Sequence, residues 1–176
     1  MHWEEEKPRK NKNLNYVKKI QLFAEIHVFD SVNELSPEAK SLMEKAAAAR
    51  EMAYAPYSHF KVGAALELDN GIIVTGNNQE NAAYPSGLCA ERVAIYAAGA
   101  NYPDNVILRM AITARSEKHK LTKPIPPCGA CRQAIAEYEI KQHKNIEIYF
   151  MGEEGEVYKS NSLADLLPLI FDSSSL

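Results

Sequence analysis

The residues of this sequence best suited to chemistry are its three cysteines and one nearby glutamate. Cys128 and Cys131 form a Cys-x-x-Cys pair, and the preceding Pro127 helps turn both thiolates toward one point. The fold must bring Cys89 to the same point. A catalytic zinc site has three protein ligands and one position for water, so the sequence predicts one catalytic Zn²⁺ per chain. Glu91 can then face that water and exchange protons with it.

The sequence around these residues resembles a known family over roughly residues 36–171. Its motifs Cys89-Ala90-Glu91-Arg92 and Pro127-Cys128-Gly129-Ala130-Cys131-Arg132-Gln133 are similar to those of the small homotetrameric cytidine deaminases. The resemblance implies zinc-dependent hydrolysis of cytidine or deoxycytidine to uridine or deoxyuridine and ammonia, a pyrimidine salvage reaction. Zinc-bound hydroxide would attack C4 of the cytosine ring, and Glu91 would be the proton shuttle.

The resemblance also implies how a nucleoside is held. Phe60 matches the aromatic residue that stacks on the base, and Asn78 and Glu80 match the pair that binds a sugar hydroxyl. Ala90 lies where the family's helix start hydrogen-bonds the pyrimidine. Phe171 matches a residue that closes the pocket of a neighbouring subunit, so the implied assembly is a homotetramer with shared active sites.

Arg92 matches a family arginine that hydrogen-bonds the ligand sulfurs. Three thiolates and Zn²⁺ sum to one negative charge, which weakens the metal as a Lewis acid, and an arginine beside the sulfurs withdraws part of that charge. A surface helix arginine is the alternative. The sequence departs from the family at Lys61, where proline is frequent, and at Asn77, where cysteine is common.

Simpler interpretations remain open for each part of the predicted site. The cysteines could be three buried thiols, or ligands of a structural zinc site closed by a histidine. Phe60 and Phe171 could be core residues, and residues 76–84 a hydrated loop. At the level of function, the alternatives are a deaminase of another cytosine-containing nucleoside and a non-catalytic, zinc-stabilised binding domain. The histidines considered as a fourth ligand are His27, His59, His119 and His143.

The elements that must position these residues follow from hydrophobic periodicity and from helix caps. Ser36 and the proline after it predict a helix that ends near residue 54. The turn Asp69-Asn70-Gly71 predicts a hairpin, because Asn70 and Gly71 can both take positive φ. The other predicted elements are strands over 61–68, 72–76, 106–114, 146–151 and 156–158, and helices over 89–100, 128–140 and 162–167.

The order of these elements predicts a three-layer α/β/α domain with a mixed central sheet and helices on both of its faces. Both sets of cysteines lie at predicted helix N-termini. The unpaired backbone N–H groups and the helix dipole favour thiolate over thiol there.

Composition bounds the rest of the prediction. A chain of 176 residues, 46% of them hydrophobic, is one ordinary domain, and we assign residues 34–176 to a catalytic domain. A net charge of −3 argues against a nucleic-acid polymer and favours a small nucleoside substrate. No apolar run is long enough for a membrane span, and reduced thiols indicate the cytoplasm.

We assign residues 1–33 to an N-terminal extension, which is longer than that of a typical family member. The charged arm over residues 1–15 is either solvated or a binding tail. Alternating apolar residues at Leu22, Ala24, Ile26 and Val28 favour an added strand after it, with a helix as the alternative.

Overall fold

The protein, analysed as a computed structural model, is described over residues 18–173 and at residue 176. The arm over residues 1–15 lies outside the described residues. The described residues contain three α-helices and six strands, in chain order β1 His27–Phe29, α1 Pro37–Glu51, β2 Phe60–Leu68, β3 Ile73–Asn77, α2 Ala90–Asn101, β4 Ile107–Ser116, α3 Gly129–Lys141, β5 Glu147–Met151 and β6 Val157–Ser160. These strands form one mixed sheet in the order β1-β6-β5-β4-β2-β3.

Alternating side chains of the strands build two cores, one on each face of the sheet. Leu66 and its even-numbered neighbours in β2 pack with α2 and α3, while Ala65 packs with α1 on the other face. This division follows from the two-residue period of a strand, which sends successive side chains to opposite faces. The predicted three-layer α/β/α architecture with a mixed sheet is therefore confirmed.

The cysteines meet because of the sheet's topology. β2 pairs antiparallel with both β3 and β4, so β3 and β4 run in the same direction. α2 follows β3 and α3 follows β4, and both helices therefore begin beyond the same edge of the sheet. Carboxyl ends of parallel-running strands are the usual place for ligand sites in such sheets.

The first helix begins as predicted. Ser36 is its N-cap, and the Ser36 hydroxyl accepts a hydrogen bond from the backbone N–H of Ala39 at 3.3 Å. The last predicted helix, over residues 162–167, is wrong in extent, because only the 3₁₀ turn Leu163–Asp165 forms there. Pro168 explains this, since the residue before a proline is disfavoured in the helical conformation.

The hairpin between β2 and β3 is confirmed, and its loop is the predicted turn over residues 69–71. Gly71 has φ +80°, whereas Asn70 is not among the described residues with positive φ. The N–H of Leu68 donates to the carbonyl of Ile72, which leaves three residues in the loop. A three-residue loop needs only its last residue in the left-handed region, and the glycine supplies it.

The extension adds an edge strand, shorter than its alternating pattern predicts. β1 pairs antiparallel with β6, with His27 opposite Lys159 and Phe29 opposite Val157. Residues 18–26 have no regular structure. The reason is geometric: in this register Ile26 is level with Ser160, the last residue of β6, so residues before Ile26 have no partner left in that strand. Among the described helices, none is long and apolar enough to cross a membrane.

Candidate metal and active site

The three cysteine sulfurs lie within 4.8 Å of one another at the starts of α2 and α3. The Cys89 and Cys128 sulfurs are 3.8 Å apart, and those of Cys128 and Cys131 are 3.4 Å apart. Sulfurs bound tetrahedrally to one Zn²⁺ would be separated by about 3.8 Å, given a Zn–S distance of about 2.3 Å. The spacing and the all-thiol donor set therefore fit a zinc ion held by three protein ligands.

The two helices present their cysteines from the same kind of position. Cys89 is the N-cap of α2 and Cys128 the N-cap of α3, both in the extended conformation and neither using its side chain as a cap. Cys131 lies one turn into α3, so that Cys128 and Cys131 share a face of the helix. Cys131 is buried, Cys89 half-buried and Cys128 exposed.

The sulfurs share charge unequally before any cation is bound. A hydrogen bond from Cys131, together with contacts to Arg92 and Cys128, lowers the pKa of Cys89, although burial opposes the shift. The same hydrogen bond with Cys89 raises the pKa of Cys131, and burial and the charge of Glu91 add to the effect. The first thiolate therefore forms readily at Cys89, and a cation is needed to make the cluster fully ionised.

Arg92 lies against this cluster, one turn after Cys89. Its Nη2 is 3.9 Å from the Cys89 sulfur, within the range for a hydrogen bond to sulfur. Its Nε is buried without a hydrogen-bond partner in the described part of the chain. Burial opposes its charge, but the hydrogen bond to Cys89 and the charges of Cys89 and Cys131 raise its pKa.

Glu91 opens onto the same place from the first turn of α2. Glu91 is only 4% exposed, yet it lines a cavity beside Cys89 and Cys128. Burial raises the pKa of Glu91 to about 7, and the Cys89 charge adds to this shift. A carboxyl group whose pKa lies near neutrality can both accept and release a proton.

The cavity beside the cysteines has a volume of about 690 Å³, within the range of small-ligand sites. Phe60, Asn78 and Glu80 all line it, from β2 and from the segment after β3. The fold thus brings together residues that are far from Cys128 along the chain. Arg92 and Ile112 also reach its wall.

Asn78 and Glu80 are held in place by the backbone across the cavity. The Asn78 side chain accepts from the N–H of Val62 at 2.7 Å and donates to the carbonyl of Phe60 at 2.9 Å. Glu80 accepts hydrogen bonds from the N–H groups of Tyr57 and Ser58 and from the Ser58 hydroxyl. These bonds lower the pKa of Glu80 against the opposing effect of burial, so it stays ionised.

Sequence reasoning missed the aromatic rim of the cavity. Tyr57 and Tyr84 both line it, and their rings pack edge to face with 6.2 Å between the ring centroids. It also missed Ser58, whose hydroxyl fixes the Glu80 carboxylate. Tyr57 and Ser58 stand beside Phe60 in the sequence, and that adjacency was the signal available.

Two predicted residues do not reach the cavity within this chain. Ala90 is the first residue of α2, and its side chain is fully buried. Phe171 is 61% exposed and lies outside the cavity, and its carbonyl accepts a hydrogen bond from the Gln133 side chain. Over residues 18–173, no histidine joins the cysteine cluster. His59, one of the four histidines considered as ligands, is instead 3.1 Å from a carboxylate oxygen of Glu117.

Comparison with known proteins gives consistent matches. Residues 36–146 match the cytidine and deoxycytidylate deaminase zinc-binding region. A cytidine deaminase of Halalkalibacterium halodurans is 36% identical over 139 residues, covering 79% of this chain and 98% of that protein. One of Sporosarcina psychrophila is 38% identical over 141 residues, covering 79% and 95%.

The crystal structure of a cytidine deaminase from Burkholderia pseudomallei superimposes with a TM-score of 0.66 at 40% identity. The match covers 78% of this chain and all of that one. The match to the family's zinc-binding region contains all three cysteines, Glu91 and the cavity residues Phe60, Asn78 and Glu80.

Proposed function

The chain belongs to the family of cytidine and deoxycytidylate deaminases, and from this premise we propose that it hydrolyses cytidine, deoxycytidine or both. The products are uridine or deoxyuridine and ammonia, as in pyrimidine salvage. One observation carries the proposal. A buried carboxyl group and three sulfurs spaced for one zinc ion open onto the same cavity. We place the reaction in the cytoplasm, where thiol ligands stay reduced.

Cys89, Cys128 and Cys131 would hold the zinc ion, one per chain. When bound by three protein ligands, such an ion lowers the pKa of a water molecule so that a nucleophile is available at neutral pH. Arg92, through its contact with Cys89, draws charge from the sulfurs and offsets the electron donation of three thiolates.

Glu91 is the proton carrier of the proposed reaction. Deamination at C4 of cytosine adds water and removes ammonia, so protons must move from the water to ring N3 and to the leaving amine. A single carboxyl group can do both if its pKa lies near the working pH. Burial sets the pKa of Glu91 at about 7 in this cavity, which suits a group that alternates between base and acid.

The remaining cavity residues and the backbone at the start of α2 would orient the nucleoside. Phe60 offers an aromatic face for the base, and Ala90 lies at the helix start where backbone N–H groups are unpaired. Asn78 and Glu80 would bind a sugar hydroxyl. Their side chains are already fixed by backbone hydrogen bonds, so they lose little freedom on binding. The negative net charge favours this small substrate over a nucleic-acid polymer.

We propose that the site is completed by a second copy of the chain, in a homotetramer. Phe171 is 61% exposed and lies outside its own cavity, as expected for a side chain that enters a neighbour's pocket. Mixing chains carrying Glu91→Gln with chains carrying Phe171→Ala tests this. Activity regained on mixing two impaired variants supports shared sites, and an active monomer would overturn them.

The reaction itself is tested by the loss of ultraviolet absorbance when zinc-quantified protein meets cytidine or deoxycytidine. Turnover that disappears in Glu91→Gln, with zinc retained, supports the proposal. Zinc-loaded protein that turns over neither nucleoside would contradict it. A modified cytosine nucleoside would then be the next candidate, followed by a purely structural metal.

A further inference from the structure

The segment Leu166–Phe171, here called the C-terminal strap, is tied to the helix that carries two of the three cysteines. Arg132, in the first turn of α3, donates from Nη1 to the carbonyl of Leu166 at 2.6 Å. Its Nε donates to the carbonyl of Pro127 at 2.8 Å. Because Pro127 immediately precedes Cys128, one guanidinium group joins the strap to the loop that presents a zinc ligand.

A second bond ties the far end of the strap to the same turn of α3. Gln133 donates from Nε2 to the carbonyl of Phe171 at 2.9 Å. Between the two anchors, Leu169 has φ +60°, a conformation that is unfavourable for a residue other than glycine. Such a residue persists only where its surroundings hold it, and the bonds at Leu166 and Phe171 do so from both sides.

The anchored strap turns different side chains in opposite directions. Leu167 and Ile170 pack against the core beneath α2 and α3. Leu169 and Phe171 face away from the chain, 75% and 61% exposed. The two bonds therefore determine which face of the strap the chain offers to a neighbour.

We propose that Arg132 and Gln133 are positioning residues that couple zinc binding in one chain to the Phe171 which that chain presents to a neighbour's pocket. Only the destination of Phe171 rests on the proposed function. Zinc fixes Cys128 and Cys131, and thereby the start of α3 from which both side chains hold the strap. The coupling is reciprocal. The factor by which bound zinc favours the anchored strap equals the factor by which the anchored strap raises the affinity for zinc.

Hydrogen exchange of the full-length protein tests the coupling without any need for turnover. Backbone amides of residues 166–172 are followed by mass spectrometry in the zinc-loaded and zinc-free protein. We expect zinc to slow their exchange in the unmodified chain. In Gln133→Glu, which keeps the size of the side chain but removes its donor, zinc-loaded exchange should be about 2- to 12-fold faster, as for one lost hydrogen bond.

Two further variants make the result specific. Gln21→Glu places the same charge change on an exposed residue of the extension and should leave strap exchange unchanged. Arg132→Lys keeps the positive charge, but its single ammonium group cannot reproduce the fork that reaches two carbonyls. It should speed strap exchange and weaken zinc binding, measured by competition with a chelator.

Kinetics separate positioning from a general loss of structure. With zinc content restored, Gln133→Glu should raise KM for the nucleoside more than it lowers kcat, because the pocket closure is loosened and the chemistry is intact. Unchanged strap exchange in Gln133→Glu, or exchange in the unmodified chain that ignores zinc, overturns the coupling whatever the activity. If zinc slows amide exchange in the strap but the protein turns over neither cytidine nor deoxycytidine, the coupling stands and only the proposed function is overturned.

Discussion

The two helices that carry the cysteines have similar N-caps and different first turns. Each has an extended cysteine as its N-cap, at φ −72° and ψ 154° for Cys89 and φ −68° and ψ 167° for Cys128. In α2 the next two residues are buried against the sheet, and the second of them is Glu91. In α3 they are Gly129 and Ala130, both exposed. One helix start is interior and the other is at the surface.

The difference shows that each helix start can present a cysteine ligand, whereas acid–base chemistry depends on burial of the following residues, which raises the pKa of Glu91. Gly76 in β3 makes the interior start possible. A side chain there would come within 2.6 Å of the carbonyl of Ala90 and of the N–H of Ala94. Without one, α2 lies directly on the strand, and Glu91 is held out of water. An added Cβ at Gly129, in the first turn of α3, would meet nothing within 4 Å, and that turn ties the strap instead.

The largest effect is expected for Glu91→Gln, which removes the carboxyl group that carries protons but keeps the size and shape of the side chain. Loss of general acid–base catalysis should lower kcat by about 10²- to 10⁴-fold, while zinc content stays at one ion per chain. Steady-state rates with metal analysis measure both. Glu44→Gln, on an exposed position of α1 across the sheet, is the matched control and should be unaffected. Loss of zinc in Glu91→Gln would assign Glu91 to metal binding instead.

The same substitution should reveal the cost of burial in the metal-free chain. Glu91 keeps its proton up to about pH 7 when folded, whereas the unfolded chain loses it near the usual glutamate pKa. The folded state therefore binds more protons in between, and its free energy of unfolding falls as the pH rises through this window. The glutamine variant lacks this penalty and should be about 3 kcal/mol more stable relative to wild type at pH 8 than at pH 4.5.

Urea unfolding of chelator-treated wild type and Glu91→Gln at several pH values measures that difference. Glu44→Gln again serves as control, since it makes the same change of residue type at an exposed position of α1. A stability difference between Glu91→Gln and wild type that stays constant from pH 4.5 to 8 would show that the α2 start is hydrated, and would remove the contrast with α3.

Arg92→Ala tests the third residue of each helix. In α2 this residue is the cationic Arg92, and in α3 it is the ligand Cys131. Loss of a side chain that hydrogen-bonds a metal ligand typically costs about 10- to 100-fold in metal affinity or activity. We expect that loss in chelator competition or in kcat. Arg92→Lys retains the charge and should lose less. Full activity with full zinc content in Arg92→Ala would reduce Arg92 to a packing residue.

The sequence predicted the parts of this site that depend on local spacing. Cys128 and Cys131 are one helical turn apart, and a proline followed by a cysteine marks the helix start, so α3 and its ligands could be read directly. Cys89 was placed with them because a catalytic zinc site needs a third protein ligand, and Phe60, Asn78 and Glu80 were placed there only by resemblance. Their meeting depends on β3 and β4 running in the same direction, which no local pattern states.

Other features escaped prediction because distant backbone determines them. The burial of Glu91 depends on the contact between Gly76 and α2, and the hold on the strap depends on the carbonyl of Leu166, far from Arg132 in sequence. The length of the strand in the N-terminal extension is also determined by distant backbone. Its alternation indicated a strand, yet only His27–Phe29 forms one, because the partner strand ends at Ser160.

The smallest expected effect comes from exchanging the residues next to the two N-cap cysteines. An added Cβ at Gly129 would meet no atom within 4 Å, so Gly129→Ala should stabilise the chain by about 0.4–1 kcal/mol by restricting its unfolded state. Ala90→Gly, at the buried start of α2, is the matched opposite and should destabilise by about 0.5–1 kcal/mol. Thermal unfolding of the zinc-loaded variants measures both. If Gly129→Ala instead lowers stability or activity, a second copy must pack against the start of α3, and that start would be exposed in the single chain and buried in the assembly.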